Sequence, residues 1–130
     1  MHIAVRYYSR SGNTKAVAEA IARAAGVEAI SVDSADAAIT EPVDVLFVGG
    51  ALYAYGLDNH LKRYLKDLPD GAAQKGVAFS TSRFSTHAID LIKKGLTAHG
   101  IPVESEFFYA RSKPGDEQLK NAEAFAKKYL

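Results

Sequence analysis

Apolar positions along this chain follow two periods, and the two periods alternate. Ile3 to Tyr8 is a short apolar and aromatic run suited to a buried strand. After the polar loop Ser9-Arg10-Ser11-Gly12-Asn13, the spacing turns helical from Thr14 to Ala25, with Val17, Ile21 and Ala24 on one face and Gly26 as a stop. Val27 to Val32 reads as a second strand. The polar, alanine-rich stretch from Asp33 to Glu41 has room for no more than a short helix before Pro42. Val43 to Gly50 is a third strand, apolar on both faces through Val45-Leu46-Phe47-Val48, as a central parallel strand should be. Asp58 can cap a helix whose apolar side is Leu61, Leu65 and Leu68, ending before Pro69-Asp70-Gly71. Val77-Ala78-Phe79 is the fourth strand, and Thr86 to His99 the next helix, carrying Ile89, Ile92 and Leu96. Val103 to Tyr109 is a fifth strand, and Lys113-Pro114-Gly115-Asp116 turns into a last helix bearing Leu119, Ala122, Phe125, Ala126 and Tyr129.

Five strands alternating with roughly five helices predict an α/β fold, a doubly wound parallel sheet with helices on both faces. No internal repeat, low-complexity tract or linker interrupts the alternation, so residues 1–130 are expected to form one domain.

Composition narrows the chemistry. With 48% hydrophobic and 24% charged residues the chain can bury a real core. No apolar run approaches the ~20 residues needed to span a bilayer, and Met1-His2-Ile3-Ala4-Val5 lacks the basic start of a signal peptide. A cytoplasmic protein without membrane association is expected. Cysteine is absent, so disulfides, thiol redox chemistry and Cys-ligated metals are excluded, and any redox work needs a bound cofactor. His2, His60, His87 and His99 are scattered without metal-ligand spacing. A net charge of +1 gives no nucleic-acid footprint and no strong long-range steering of partners.

In an open parallel sheet, ligands bind beyond the carboxyl ends of the strands. Three loops leave such ends here: Ser9 to Thr14, Ala51 to Leu57, and Ser80 to Ser85. The first supplies the hydroxyls of Ser9, Ser11 and Thr14, with Gly12 and Asn13 permitting a tight turn. It also opens a helix, so unpaired N–H groups and the positive end of the helix dipole converge there, a combination suited to a phosphate. The bland alternative is simple helix capping by Ser11; capping explains one hydroxyl and not three. The loop has neither the GxxxxGK[ST] spacing of a nucleotide triphosphatase nor a GxGxxG dinucleotide fingerprint. In the second loop, Tyr53 and Tyr55 offer aromatic faces at a strand's carboxyl end.

Tyr8-Ser9-Arg10-Ser11-Gly12-Asn13-Thr14, followed by Lys15 to Ala22, resembles the phosphate loop and first helix of the flavodoxins, whose pattern is Ser/Thr-x-Ser/Thr-Gly-Asn-Thr. Phe47 to Gly56 is similar to that family's first flavin-ring loop, and Ser80-Thr81-Ser82-Arg83-Phe84 to its second. The resemblance covers essentially the whole chain. It implies a flavodoxin-like three-layer α/β/α fold with five strands in the order 2-1-3-4-5. It also implies flavin mononucleotide (FMN) as cofactor, with the phosphate held by Ser9, Ser11, Gly12, Asn13 and Thr14; Arg10, which the family pattern does not supply, either adds its guanidinium to that site or points outward. The ring would lie among Ala51, Leu52, Tyr53, Ala54, Tyr55, Thr81, Ser82, Arg83 and Phe84. Tyr53 is the first choice for the stacking aromatic, by its distance after Gly49-Gly50; Phe84 is either an opposite wall or the anchor of the following helix. Tyr7 is assigned to the core and Tyr8 to the pocket floor. In the family a peptide beside the flavin changes orientation on reduction, most easily at a glycine of positive φ, whereas Ala54 stands here, where adopting positive φ is costly.

The chain departs from the family in several ways. It is short, its link between the second and third strands is abbreviated, Arg10 replaces a small neutral residue, and its charge is near neutral where electron-carrying flavodoxins are acidic. The resemblance implies electron transfer between redox partner proteins, a reductase and an acceptor, by a monomer or weak dimer; the alternative is an oxidoreductase acting on a small molecule such as a quinone. A phosphate-accepting receiver domain shares the sheet order. It needs carboxylates after the first and third strands, where this chain has Tyr7-Tyr8-Ser9 and Gly49-Gly50-Ala51. A module that has lost its flavin is disfavoured by the intact Ser9 to Thr14 loop.

Overall fold

The computed structural model describes residues 1–54 and 56–130. Five parallel strands, β1 (Ile3–Tyr7), β2 (Ala29–Ser31), β3 (Val43–Gly50), β4 (Ala73–Ser82) and β5 (Phe108–Arg111), pair in the order β2-β1-β3-β4-β5. Among the described residues, α1 (Asn13–Ala25), α2 (Asn59–Lys66) and α3 (His87–Thr97) and a 3-10 turn at Ala35–Ala37 connect them, and α4 (Asp116–Lys127) follows β5. The sheet order and the α/β class are those the sequence implied.

Alternation along the central strands divides the core into two layers. Val45, Phe47, Val77 and Phe79 pack with Val17 and Ile21 of α1 and Ala122 and Phe125 of α4. Leu46, Val48 and Ala78 face the other way, against Leu61 and Leu65 of α2 and Ile89, Ile92 and Leu96 of α3. Both faces of the sheet are therefore apolar and covered, which is why β3 reads as a continuous hydrophobic run. Close packing also fixes two glycines. A Cβ on Gly49 would fall 2.0 Å from the Phe79 ring, and one on Gly50 2.4 Å from a Leu61 methyl. The abbreviated link between β2 and β3 is tied down at one atom: the Ala37 carbonyl accepts from Arg6 Nε at 2.8 Å and from the Tyr64 hydroxyl.

The structure moves three boundaries. β4 starts at Ala73 and runs through Ser82, so Ser80, Thr81 and Ser82 extend the strand instead of forming a loop. Gln74 and Lys75 hid its start, because after the buried Ala73 they are exposed and half-buried. The fifth strand is interrupted. Val103 makes a single bridge to Gly76, the chain then leaves the sheet through Glu104-Ser105-Glu106, and pairing resumes at Phe108. Those carboxylates pair with cations, Glu104 with Lys75 of β4 at 3.0 Å and Glu106 with Lys128 at 2.9 Å. Finally, β2 keeps only Ala29–Ser31 of the expected Val27–Val32. Among the described residues, no helix is long and apolar enough to cross a membrane.

Candidate functional site

Parallel register brings the strand ends to one edge. Tyr7 lies beside Gly49, Gly49 beside Phe79, and Gly50 beside Ser80, so the chain leaves β1, β3 and β4 at neighbouring points. There the structure forms a cleft of about 320 Å³ lined by Ser11, Asn13, Ala51, Leu52, Tyr53, Thr81, Ser82, Arg83 and Ser112. That volume lies at the lower end of ligand clefts, about 300–1,000 Å³. Eight of those residues come from the three loops singled out in the sequence.

The β1–α1 loop is shaped by its own groups. Gly12 sits at the α1 N-cap with φ 93°, a left-handed conformation, and its N–H donates to Ser9 Oγ at 3.0 Å. No side chain caps α1. The capping role considered for Ser11 is therefore not observed, and the first-turn N–H groups are left for an external acceptor. Thr14 is buried, with its hydroxyl 2.6 Å from that of Thr81. This bond ties the first loop to β4 beneath the cleft, and Thr14 does not line the cavity itself.

Arg10 also lies outside the cleft. Its Nε and Nη2 donate to Asp58 Oδ2 at 2.9 and 2.6 Å, and its guanidinium carbon is 3.9 Å from the centre of the Tyr53 ring. Asp58 was read as a helix cap, and it is one: Oδ1 accepts from the His60 N–H at 2.8 Å. Burial alone would raise the Asp58 carboxyl, but hydrogen bonds from His60 and Arg10 and the Arg10 charge outweigh it and hold the group below the usual carboxylate range. Tyr8 is half-buried and stacks on His60, with ring centres 4.6 Å apart and planes 11° apart. Burial and the neighbouring Asp58 and Asp33 charges push its phenol up.

Tyr53 reaches the cleft edge, in a tight turn closed by reciprocal backbone hydrogen bonds with Gly56 at 2.8 and 3.0 Å. Ala54 in that turn already holds φ 52°, the conformation expected to be costly for it. Tyr55 lies outside the described residues. Phe84 is neither wall nor anchor: it is 80% exposed, near the guanidiniums of Arg83 and Arg111. Arg83 is exposed as expected of a loop charge, yet lines the cleft. Tyr7 is in the core as assigned. Ser112 was missed by sequence reading. It follows β5 directly, with φ 59°, and its N–H donates to the Ser82 carbonyl at 3.3 Å. The available signal was a polar residue one position past a fifth parallel strand, blurred by placing that strand's end at Tyr109.

Residues 4–109 match the model of the flavodoxin domain. The chain belongs to the flavodoxin family. This flavodoxin domain is similar in structure to a flavodoxin from the domain Archaea, with 26% identity and a TM-score of 0.87 over 99% of this chain and 96% of that one. It is also similar to oxidised flavodoxin 1 from Bacillus cereus, at 21% identity and a TM-score of 0.80 over 98% and 95%. A third neighbour is the rubredoxin oxygen:oxidoreductase of Desulfovibrio gigas, at 14% identity and a TM-score of 0.82; there 98% of this flavodoxin domain corresponds to 34% of the longer chain. No curated protein matches it by sequence.

Proposed function

We propose that this chain binds FMN in the cleft at the carboxyl edge of the sheet and carries electrons between protein partners, a reductase and an acceptor, in the cytoplasm. One observation carries the reading: the uncapped N-terminus of α1 meets the ends of β3 and β4 around a single cleft. The donors there fit the group. First-turn N–H groups with the Ser11 hydroxyl and Asn13 amide suit a dianionic phosphate, while Leu52 and Tyr53 offer an apolar face to a planar ring. Ser9 and Gly12 shape the phosphate loop, and Thr14 and Thr81 lock its base to the sheet. Bound FMN would supply reversible electron uptake, and the protein's part is binding, orientation and electrostatics.

The test is spectral and calorimetric. The purified protein, titrated with FMN, should turn yellow and bind it far more tightly than riboflavin, which lacks the phosphate. Equal affinities would refute the phosphate placement, and no binding of either would refute the cofactor. Lys plus Arg number 16 against 15 for Asp plus Glu, so reduction by a partner reductase should depend only modestly on ionic strength.

A second reading is an oxidoreductase acting directly on a small molecule such as a quinone; the open cleft edge beside Arg83 and Ser112 gives such a molecule a route to the ring. Saturable quinone turnover by the FMN-loaded protein would select it over the carrier.

A further inference from the structure

A cavity of about 610 Å³ adjoins the cleft, and Leu52 and Tyr53 form the wall that the two share. Arg10 and Asp58 line only the larger one, and Ser11, Asn13 and Thr81 only the cleft. The larger cavity thus backs Tyr53 with a cation. The guanidinium is in contact with the ring at 3.9 Å from its centre, and the Arg10 N–H donates to the Tyr53 hydroxyl at 3.2 Å.

This cation is held in place. Both of its hydrogen bonds go to one oxygen of Asp58, a carboxylate whose side chain is only 7% exposed. The other oxygen takes the His60 N–H and lies 2.8 Å from His60 Nδ1, and His60 is itself stacked on Tyr8. Lysine could not replace this arrangement, because a single ammonium has no two-nitrogen fork to donate to a carboxylate while its cationic centre sits over a ring. Helix capping explains Asp58, but not an arginine placed over Tyr53, the one tyrosine among the described residues that lines the cleft.

We propose that Arg10 is a positioning residue that braces Tyr53 from behind and tunes the cofactor, selecting for the reduced form of a flavin stacked on the opposite face of the ring. The inference rests on the FMN reading above. Uptake of two electrons and one proton leaves the flavin ring with one more negative charge, and a fixed cation behind the stacking ring favours that state. Asp58 offsets part of the field, but the guanidinium is the member of the pair touching Tyr53.

The experiment compares the FMN-loaded natural protein with Arg10→Gln and with Arg10→Gln/Asp58→Asn. Calorimetry gives the affinity for oxidised FMN. Reduction by dithionite, equilibrated with a reference dye, gives the two-electron midpoint, and circular dichroism verifies folding. Arg10→Gln should weaken reduced FMN on the order of tenfold more than oxidised FMN, a fall of about 30 mV in midpoint. The double variant should fall less than Arg10→Gln but stay below the natural protein. An unchanged or raised midpoint in Arg10→Gln would overturn the proposal. So would a double variant at the natural value, since the bared Asp58 carboxylate would then account for the whole shift. Failure of the natural protein to bind FMN sinks the underlying reading instead, so the two failures are distinguishable.

Discussion

The hydroxyl pair Thr14–Thr81 is the place where the β1–α1 loop is anchored to the sheet, and its energetics can be taken apart by substitution. Both residues are 2% exposed, and their oxygens are 2.6 Å apart, so loss of either hydroxyl leaves the other, buried one without its partner. Valine has threonine's shape and β-branching without the hydroxyl. Thr14→Val removes a hydrogen bond and strands the Thr81 hydroxyl, and Thr81→Val does the reverse. Each single change should cost about 1–3 kcal/mol, the range for a buried polar group left unpaired. Replacing both leaves no stranded group, and the double variant should lie within about 1 kcal/mol of the natural protein. The coupling energy should then exceed about 1 kcal/mol, well outside the error of additivity for independent sites. Urea unfolding of the four proteins, without added flavin and at constant slope, measures it. Simple addition of the single costs would show that the two hydroxyls do not depend on one another, and the anchoring role assigned to Thr14 would fall.

Gly49→Ala should destabilise by about 1–3 kcal/mol in the same assay, because its methyl would overlap the fully buried Phe79 ring; a neutral result would show that this layer yields. Ala54→Gly should raise stability by up to about 1 kcal/mol, relief of a left-handed alanine outweighing the added freedom of the unfolded chain; an unchanged urea midpoint would contradict the turn as described. The Asp58 carboxyl is held below its ordinary value in the folded protein, so its contribution is present above the unfolded carboxylate value and is lost as pH falls through the folded one. Asp58→Asn should therefore flatten the stability profile below about pH 4 relative to the natural protein. Parallel profiles from pH 7 to 3 would refute this.

Much of the architecture is carried by local pattern. The apolar run Val45-Leu46-Phe47-Val48 can be buried only with helices on both faces, and the alternating periods leave few topologies that cover it. The Ser9 to Thr14 loop was legible for a similar reason: glycine, a turn residue and hydroxyls adjacent in sequence remain adjacent in space. Pairing decided what pattern could not. β4 extends through Gln74 and Lys75 because Val43 and Val45 supply ladder partners at that end, and through Ser80 to Ser82 because Gly50, Ala110 and Arg111 do so at the other, although those residues look like loop. β5 is interrupted where Glu104, Ser105 and Glu106 place polar side chains between Val103 and Phe108, with Glu104 paired to Lys75 of β4 and Glu106 to Lys128 beyond α4. The division of labour among the candidate residues also needed three dimensions. Thr14 meets a hydroxyl 67 positions away, and Arg10 meets a carboxylate 48 positions away and lies on Tyr53 rather than lining the cleft. Periodicity and loop chemistry, which act over a few residues, determined the fold class and the edge where ligands belong. Which side chains face the cleft, and which are bonded to one another behind it, depended on long-range contacts that exist only once the sheet has formed.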